Sequence, residues 1–106
     1  MEKEKSLTLE ELLRPCVKFR NAGITEQMEK IAEEFLEVDE ASEKYVVSPS
    51  DFKKKHLAME IADVIVSCVT YLHNLGYDLA GRKKIYKEIY KKNDIRDYYK
   101  DYRKGE

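Results

Sequence analysis

The stretch LAMEIADVIVSCVTYL, residues 57–72, decides how this chain folds. On a helix it is apolar or small on every side except at Glu60 and Asp63, two carboxylates one turn apart. A membrane span needs about 20 clean apolar residues, and this run is shorter and carries two acids near its first third. It therefore predicts a buried helix of a soluble protein. Charges in that setting are costly unless something positive neutralises them, so Glu60 and Asp63 require either a salt bridge to Lys or Arg or a bound cation.

Working outward, 106 residues support one compact domain, 1–106, whose small core is expected to be completed by oligomerisation. Charged residues make up 39% of the chain and hydrophobic ones 42%, with four Gly and two Pro, which suits amphipathic helices better than a sheet. The net charge of −1 is uninformative, but its distribution is not. Residues 1–43 are dominated by Glu, whereas Arg82 to Lys104 holds ten Lys or Arg against four acids. Cys16 and Cys68, with no apolar leader, read as reduced core thiols of a cytoplasmic protein.

Local signals divide the chain into four helices. Thr8 with Glu11, flanked by Leu7 and Leu12, matches a capping box with a hydrophobic staple and starts a first helix that Pro15 kinks or ends. After the break at Asn21, Ala22 and Gly23, Thr25 caps a second helix running to about Tyr45, with Met28, Ile31, Ala32, Phe35 and Val38 on one face. Ser48, Pro49, Ser50 and Asp51 offer an N-cap, a proline at the first helical position and an acid at the third, opening the long helix that Gly76 closes. Asp78 caps a fourth helix in which Ile85, Ile89 and Asn93 step inward. No strand-like alternation is long enough to compete, so the fold class is all-α.

The second helix carries AEEFLEVDEA. At 100° per residue, Glu34 and Glu37 lie about 60° apart at the border of the apolar stripe, while Glu33 and Glu40 turn toward solvent. Taken alone, such acids are an ordinary solvated face. If Glu34 and Glu37 meet Glu60 and Asp63 across a helix interface, four carboxylates converge, and their repulsion raises their pKa values unless a cation intervenes. Oxygen-only ligands favour Mg²⁺ or Mn²⁺ over Zn²⁺, and Mg²⁺ typically joins few carboxylates to substrate phosphates. That points to phosphate chemistry.

The two acidic motifs are EExxE at Glu33, Glu34 and Glu37, then ExxD at Glu60 and Asp63 on the next helix. Gln27 precedes the first, and the turn LGYD leads into a last helix ending in Asn93, Arg96 and Tyr98. Over residues 24–99 this pattern resembles the MazG-like branch of the all-α nucleoside triphosphate pyrophosphohydrolases. The resemblance implies a four-helix MazG-like bundle, assembled as a homodimer or homotetramer. It implies hydrolysis of a nucleoside triphosphate to the monophosphate and pyrophosphate, with Mg²⁺ held by Glu34, Glu37, Glu60 and Asp63. Glu33 or Glu37 would take the proton of the attacking water, and Asn93 and Arg96 would bind phosphate oxygens, with Gln27 a further substrate contact. One position departs from the family pattern. The Lys often found four residues before the Asn is here Ile89, so Lys87, Lys91 or Lys92 would have to supply that charge from a shifted register. Without a tryptophan, Phe19, Phe35 and Tyr71 are the candidate platforms for the base, and base preference is unreadable.

Other readings start from different residues. His56 precedes Glu60 by four and could share its face, but the paired Glu-x-x-His of a di-iron bundle is absent, which leaves His56 a polar residue near the helix start. His73 lies 13 residues past Glu60, about 20 Å along the axis, and cannot join. Five tyrosines interleaved with the cations of residues 82–104 are compatible with a nucleic-acid-binding module, and a catalytically weak helical interaction protein is the third reading.

Overall fold

A computed structural model describes residues 6–16 and 22–99, and all regular structure among them is helical. The elements are α1 (Leu9–Leu12), α2 (Ile24–Val47), α3 (Asp51–Asn74) and α4 (Leu79–Ile95). No helix among the described residues is long and apolar enough to cross a membrane. The chain divides into two compact units, Met1–Gly76 and Tyr77–Glu106.

In the first unit the capping chemistry sets most boundaries. Thr8 accepts from the Glu11 amide at 3.2 Å while the Glu11 carboxylate bonds back to the Thr8 amide, the reciprocal box that the sequence predicts. The helix it opens is only one turn long, ending at Leu13 before Pro15 is reached. Two caps differ from expectation. Gly23, not Thr25, is the N-cap of α2; its extended backbone lets its carbonyl accept the first helical bond, from Gln27, so Thr25 falls inside the first turn. Ser50, not Ser48, caps α3, its hydroxyl accepting from the Lys53 amide at 3.1 Å. Ser48 precedes Pro49, which disfavours helical backbone there, and it serves instead as the C-cap of α2. Gly76 ends α3 as expected, at φ +104°, where a side chain would be strained.

α2 and α3 run antiparallel across the turn at residues 48–50 and pack together. Their shared seam repeats every three to four residues. On α2 it takes Gln27, Ile31, Glu34, Val38, Ala41 and Tyr45; on α3 it takes Leu57, Glu60, Val64, Ser67 and Tyr71, all buried or half-buried. The apolar stripe of α2 is thereby split. Ile31 and Val38 enter the seam, but Met28 and Phe35 stay 59% and 57% exposed, and Glu34 moves from the stripe's border to the seam itself. The expectation that residues 57–72 are buried on all sides is also corrected: Met59, Ile61, Ala62, Asp63 and Ile65 are exposed. A two-helix hairpin can cover only one face of each helix. The core thiols fare similarly, since Cys16 is half-buried and Cys68 exposed, both free.

The second unit is built on α4. Asp78 caps it, accepting from the Gly81 amide at 2.8 Å, and Arg82 is buried with its guanidinium donating to the Tyr77 carbonyl. Ile85 and Asn93 are half-buried, but Ile89 is exposed. At the far end the Tyr98 amide donates to the Asn93 carbonyl and the Asp97 amide to the Asp94 carbonyl, with Asp97 at φ +60°. This is a Schellman cap in which an aspartate occupies the position usually held by glycine.

Candidate functional site

The α2–α3 seam brings Glu34, Glu37 and Glu60 together: one carboxylate oxygen from each lies within 4.8 Å of the others. Helical spacing stacks Glu34 and Glu37 one turn apart on α2, and the antiparallel packing sets Glu60 of α3 opposite. Glu34 is buried, Glu60 half-buried and Glu37 exposed. Asp63, the fourth carboxylate expected here, is exposed and does not join the trio. It lines the neighbouring cleft, and its negative charge still reaches Glu37.

That cleft has a volume of about 180 Å³ and is walled by Gln27, Lys30, Glu34 and Asp63, with Cys16 and Thr70 completing it. Thr70 is buried on α3; its hydroxyl donates to the Val66 carbonyl and accepts from the Cys16 amide, both at 2.9 Å, which ties the segment after α1 to the hairpin. Gln27 is buried in the wall, so the residue placed ahead of the first motif does share a cleft with Glu34 and Asp63. Glu33 points to solvent beside them and acts on the site through its charge on Lys30.

The electrostatics follow from crowding. Glu37's carboxyl is held above its ordinary value, chiefly by a hydrogen bond shared with Glu60, then by desolvation and by the Glu60 charge; the Lys30 cation opposes the rise. Two ionised carboxylates are both acceptors and can bond to each other only by holding a proton. Accordingly Oε2 of Glu34 and Oε2 of Glu60 are buried with no hydrogen-bond donor. Lys30 Nζ lies 3.1 Å from Glu34 Oε1, and this contact, ahead of the opposing effect of burial, raises the Lys30 ammonium's pKa. His56 stays near the helix start, as expected, but its Nε2 reaches to 3.7 Å from Glu60 Oε1.

The residues fit a hard divalent cation. Oxygens held about 2.1–2.5 Å from one ion lie at most about 5 Å apart, which matches the trio, and two of its oxygens are buried and bare. Lys30 and Thr70 are not among the residues that the motifs single out. Lys30 has a readable signal, because Gln27, Lys30 and Glu34 fall at i, i+3 and i+7 on one helical face. Thr70 has none, since its role depends on where the residue 16 backbone arrives.

Among residues expected to meet phosphate, Asn93, Lys92 and Arg96 belong to the second unit. Asn93 Nδ2 donates to the Tyr99 hydroxyl at 3.1 Å, Lys92 is exposed, and Arg96 caps α4 with its guanidinium 6.0 Å from the Tyr98 ring centre. Tyr99 in turn stacks on Tyr90, the ring centres 5.1 Å apart. Of the candidate base platforms, Phe35 is exposed and Tyr71 half-buried, while Phe19 lies outside the described residues, as does the end of the basic segment from residue 100. No protein-family model matches the chain, and no match is found among curated proteins or among solved structures.

Proposed function

We propose that this chain is a Mg²⁺-dependent nucleoside triphosphate pyrophosphohydrolase of MazG-like type, converting a nucleoside triphosphate and water to the monophosphate and pyrophosphate. The observation that carries this reading is the meeting of Glu34, Glu37 and Glu60 from two helices, with two buried oxygens that have no donor. Burying carboxylate oxygens without donors is costly, and a cation is the partner whose charge and ligand preference fit them.

Glu34, Glu37 and Glu60 would hold Mg²⁺, with Asp63 at the cleft edge, and Mn²⁺ is an acceptable substitute. When bound, the ion supplies charge neutralisation for the triphosphate and acidifies water. Glu37 suits the role of proton acceptor better than Glu33, because its carboxyl is already in the cluster while Glu33 faces solvent. Water attacks the α-phosphorus, its proton passes to that carboxylate, and the bond to the bridging oxygen breaks to release pyrophosphate. Gln27 and Lys30 face the same cleft and would orient phosphate oxygens. The resemblance would add Asn93, Arg96 and Lys92, in the second unit, as phosphate contacts. The cleft, about 180 Å³, is smaller than the ~300–1,000 Å³ of typical ligand pockets, so it takes the phosphates and not the whole nucleotide. Assembly as a homodimer or homotetramer would supply the remaining walls and cover Met28 and Phe35.

The test is pyrophosphate release across canonical and modified triphosphates with Mg²⁺. Glu37→Gln and Asp63→Asn are expected to lower the rate by about two orders of magnitude or more, and activity surviving both changes refutes the site. The exposed apolar face of α2 favours a second reading, a non-catalytic helical interaction protein. On that reading neither pyrophosphate release nor thermal stabilisation by Mg²⁺ or Mn²⁺ is seen.

A further inference from the structure

Two carboxylates of the trio each have a basic side chain one helical turn before them. Glu34 has Lys30 four residues before it, 3.1 Å from Oε1; Glu60 has His56 four residues before it, 3.7 Å from Oε1. In each case Oε2 is the atom left buried without a donor. The Glu34 side chain is only 9% exposed, so its bare oxygen is turned inward and not toward water. The same arrangement thus occurs once on each helix, and both times the basic residue precedes the acid. For helix stability that is the poorer order, since an acid N-terminal to a cation gains more from an i, i+4 pair, so local helix energetics do not account for it.

We propose that Lys30 and His56 are positioning residues of the carboxylate cluster: Lys30 by direct contact, and His56 from 3.7 Å, each draws one oxygen of Glu34 or Glu60 toward itself and so presents the other to a divalent cation. The inference rests on the metal-site reading and specifies how the ligands are oriented. It makes a prediction opposite in sign to charge counting. A positive group beside a cation site repels the ion, so removing it should tighten binding if charge alone matters. A group that orients a ligand works the other way, and loss of such an outer partner typically costs 10- to 100-fold in metal affinity.

The full-length metal-free chain is titrated with Mn²⁺, and the free ion is followed by electron paramagnetic resonance. Lys30→Met is expected to weaken Mn²⁺ binding by about 10-fold or more, and Lys30→Gln, which keeps a donor without the charge, to recover most of the loss. His56→Phe should weaken binding less, the contact being longer and half exposed, with His56→Gln recovering it. Circular dichroism and thermal melting without metal check that each variant folds. Should Lys30→Met not fold, the His56 pair decides, because that side chain lies at the surface. Affinity equal to or above native in Lys30→Met and His56→Phe overturns the positioning role while leaving the metal site standing. A native chain that takes up no Mn²⁺ overturns both.

Discussion

The two faces of α2 depart from the usual arrangement of a helix in a small protein. Its inner face puts Gln27 and Glu34 into the seam with α3, where they are buried, while its outer face leaves Ile24, Met28 and Phe35 more than half exposed. An amphipathic helix ordinarily turns its apolar stripe to its partner and its charges to water. The split of the stripe leaves a buried carboxylate and exposed apolar side chains on one helix. Burying a carboxylate forgoes packing energy and adds desolvation cost, and leaving a phenyl ring wet forgoes roughly 1.5–3 kcal/mol. On the proposed reading both would be offset by something outside the hairpin: a cation on the inside, a second copy on the outside.

The largest effect is expected on the outer face. Replacing Met28 and Phe35 together by Asn should leave the isolated hairpin nearly untouched, because both are exposed, yet raise the dissociation constant of the assembly by at least about two orders of magnitude. Light scattering after gel filtration reads this directly. A native chain already monomeric at micromolar concentration would break the comparison on that side.

A smaller effect of opposite sign is expected inside. In metal-free protein, Glu34→Leu should stabilise by about 1–2 kcal/mol, because it removes a buried carboxylate whose Oε2 has no donor, while the Lys30 side chain, 39% exposed, can turn to water. For a chain of this size that raises the melting midpoint by several degrees, and the same change should abolish stabilisation by Mg²⁺. A melting midpoint that falls would show that the Lys30 pair contributes more to the seam than its burial costs.

The smallest effect is a pH dependence of the metal-free chain. Glu37's carboxyl titrates above its ordinary 4.5 in the folded state, so folding favours its protonated form. Its contribution to stability is therefore fully present below pH 4.5 and is lost as pH rises through the higher folded value. Denaturant melts across the acid range, from about pH 4 to about pH 7, should show this decline, and saturating Mg²⁺ should flatten it by neutralising the charges that cause it. An unchanged slope with Mg²⁺ would place the ion elsewhere.

Much of the chain is legible residue by residue. The Thr8–Glu11 box, the Asp78 cap and the Gly76 terminus follow from local hydrogen bonding and backbone sterics, which need no knowledge of the fold. The caps that differ from expectation do so for local reasons too: Ser48 is already engaged in ending α2 ahead of Pro49. The acids are legible as a set but not in their arrangement. Glu34, Glu37 and Glu60 meet, whereas Asp63, one turn beyond Glu60, faces the cleft edge and solvent. That difference depends on the rotation of α3 about its axis, which an almost uniformly apolar surface leaves open.

By itself, then, the sequence determined that the chain is helical, where most helices begin and end, and which carboxylates are candidates to meet. Those properties depend on spacing and neighbouring residues. Only the tertiary structure decided which face of α2 turns inward, that three carboxylates and not four converge, and that Lys30 Nζ and His56 Nε2 approach the acid four residues on, at 3.1 and 3.7 Å. These depend on how two helices rotate against each other, which spacing along one helix does not fix.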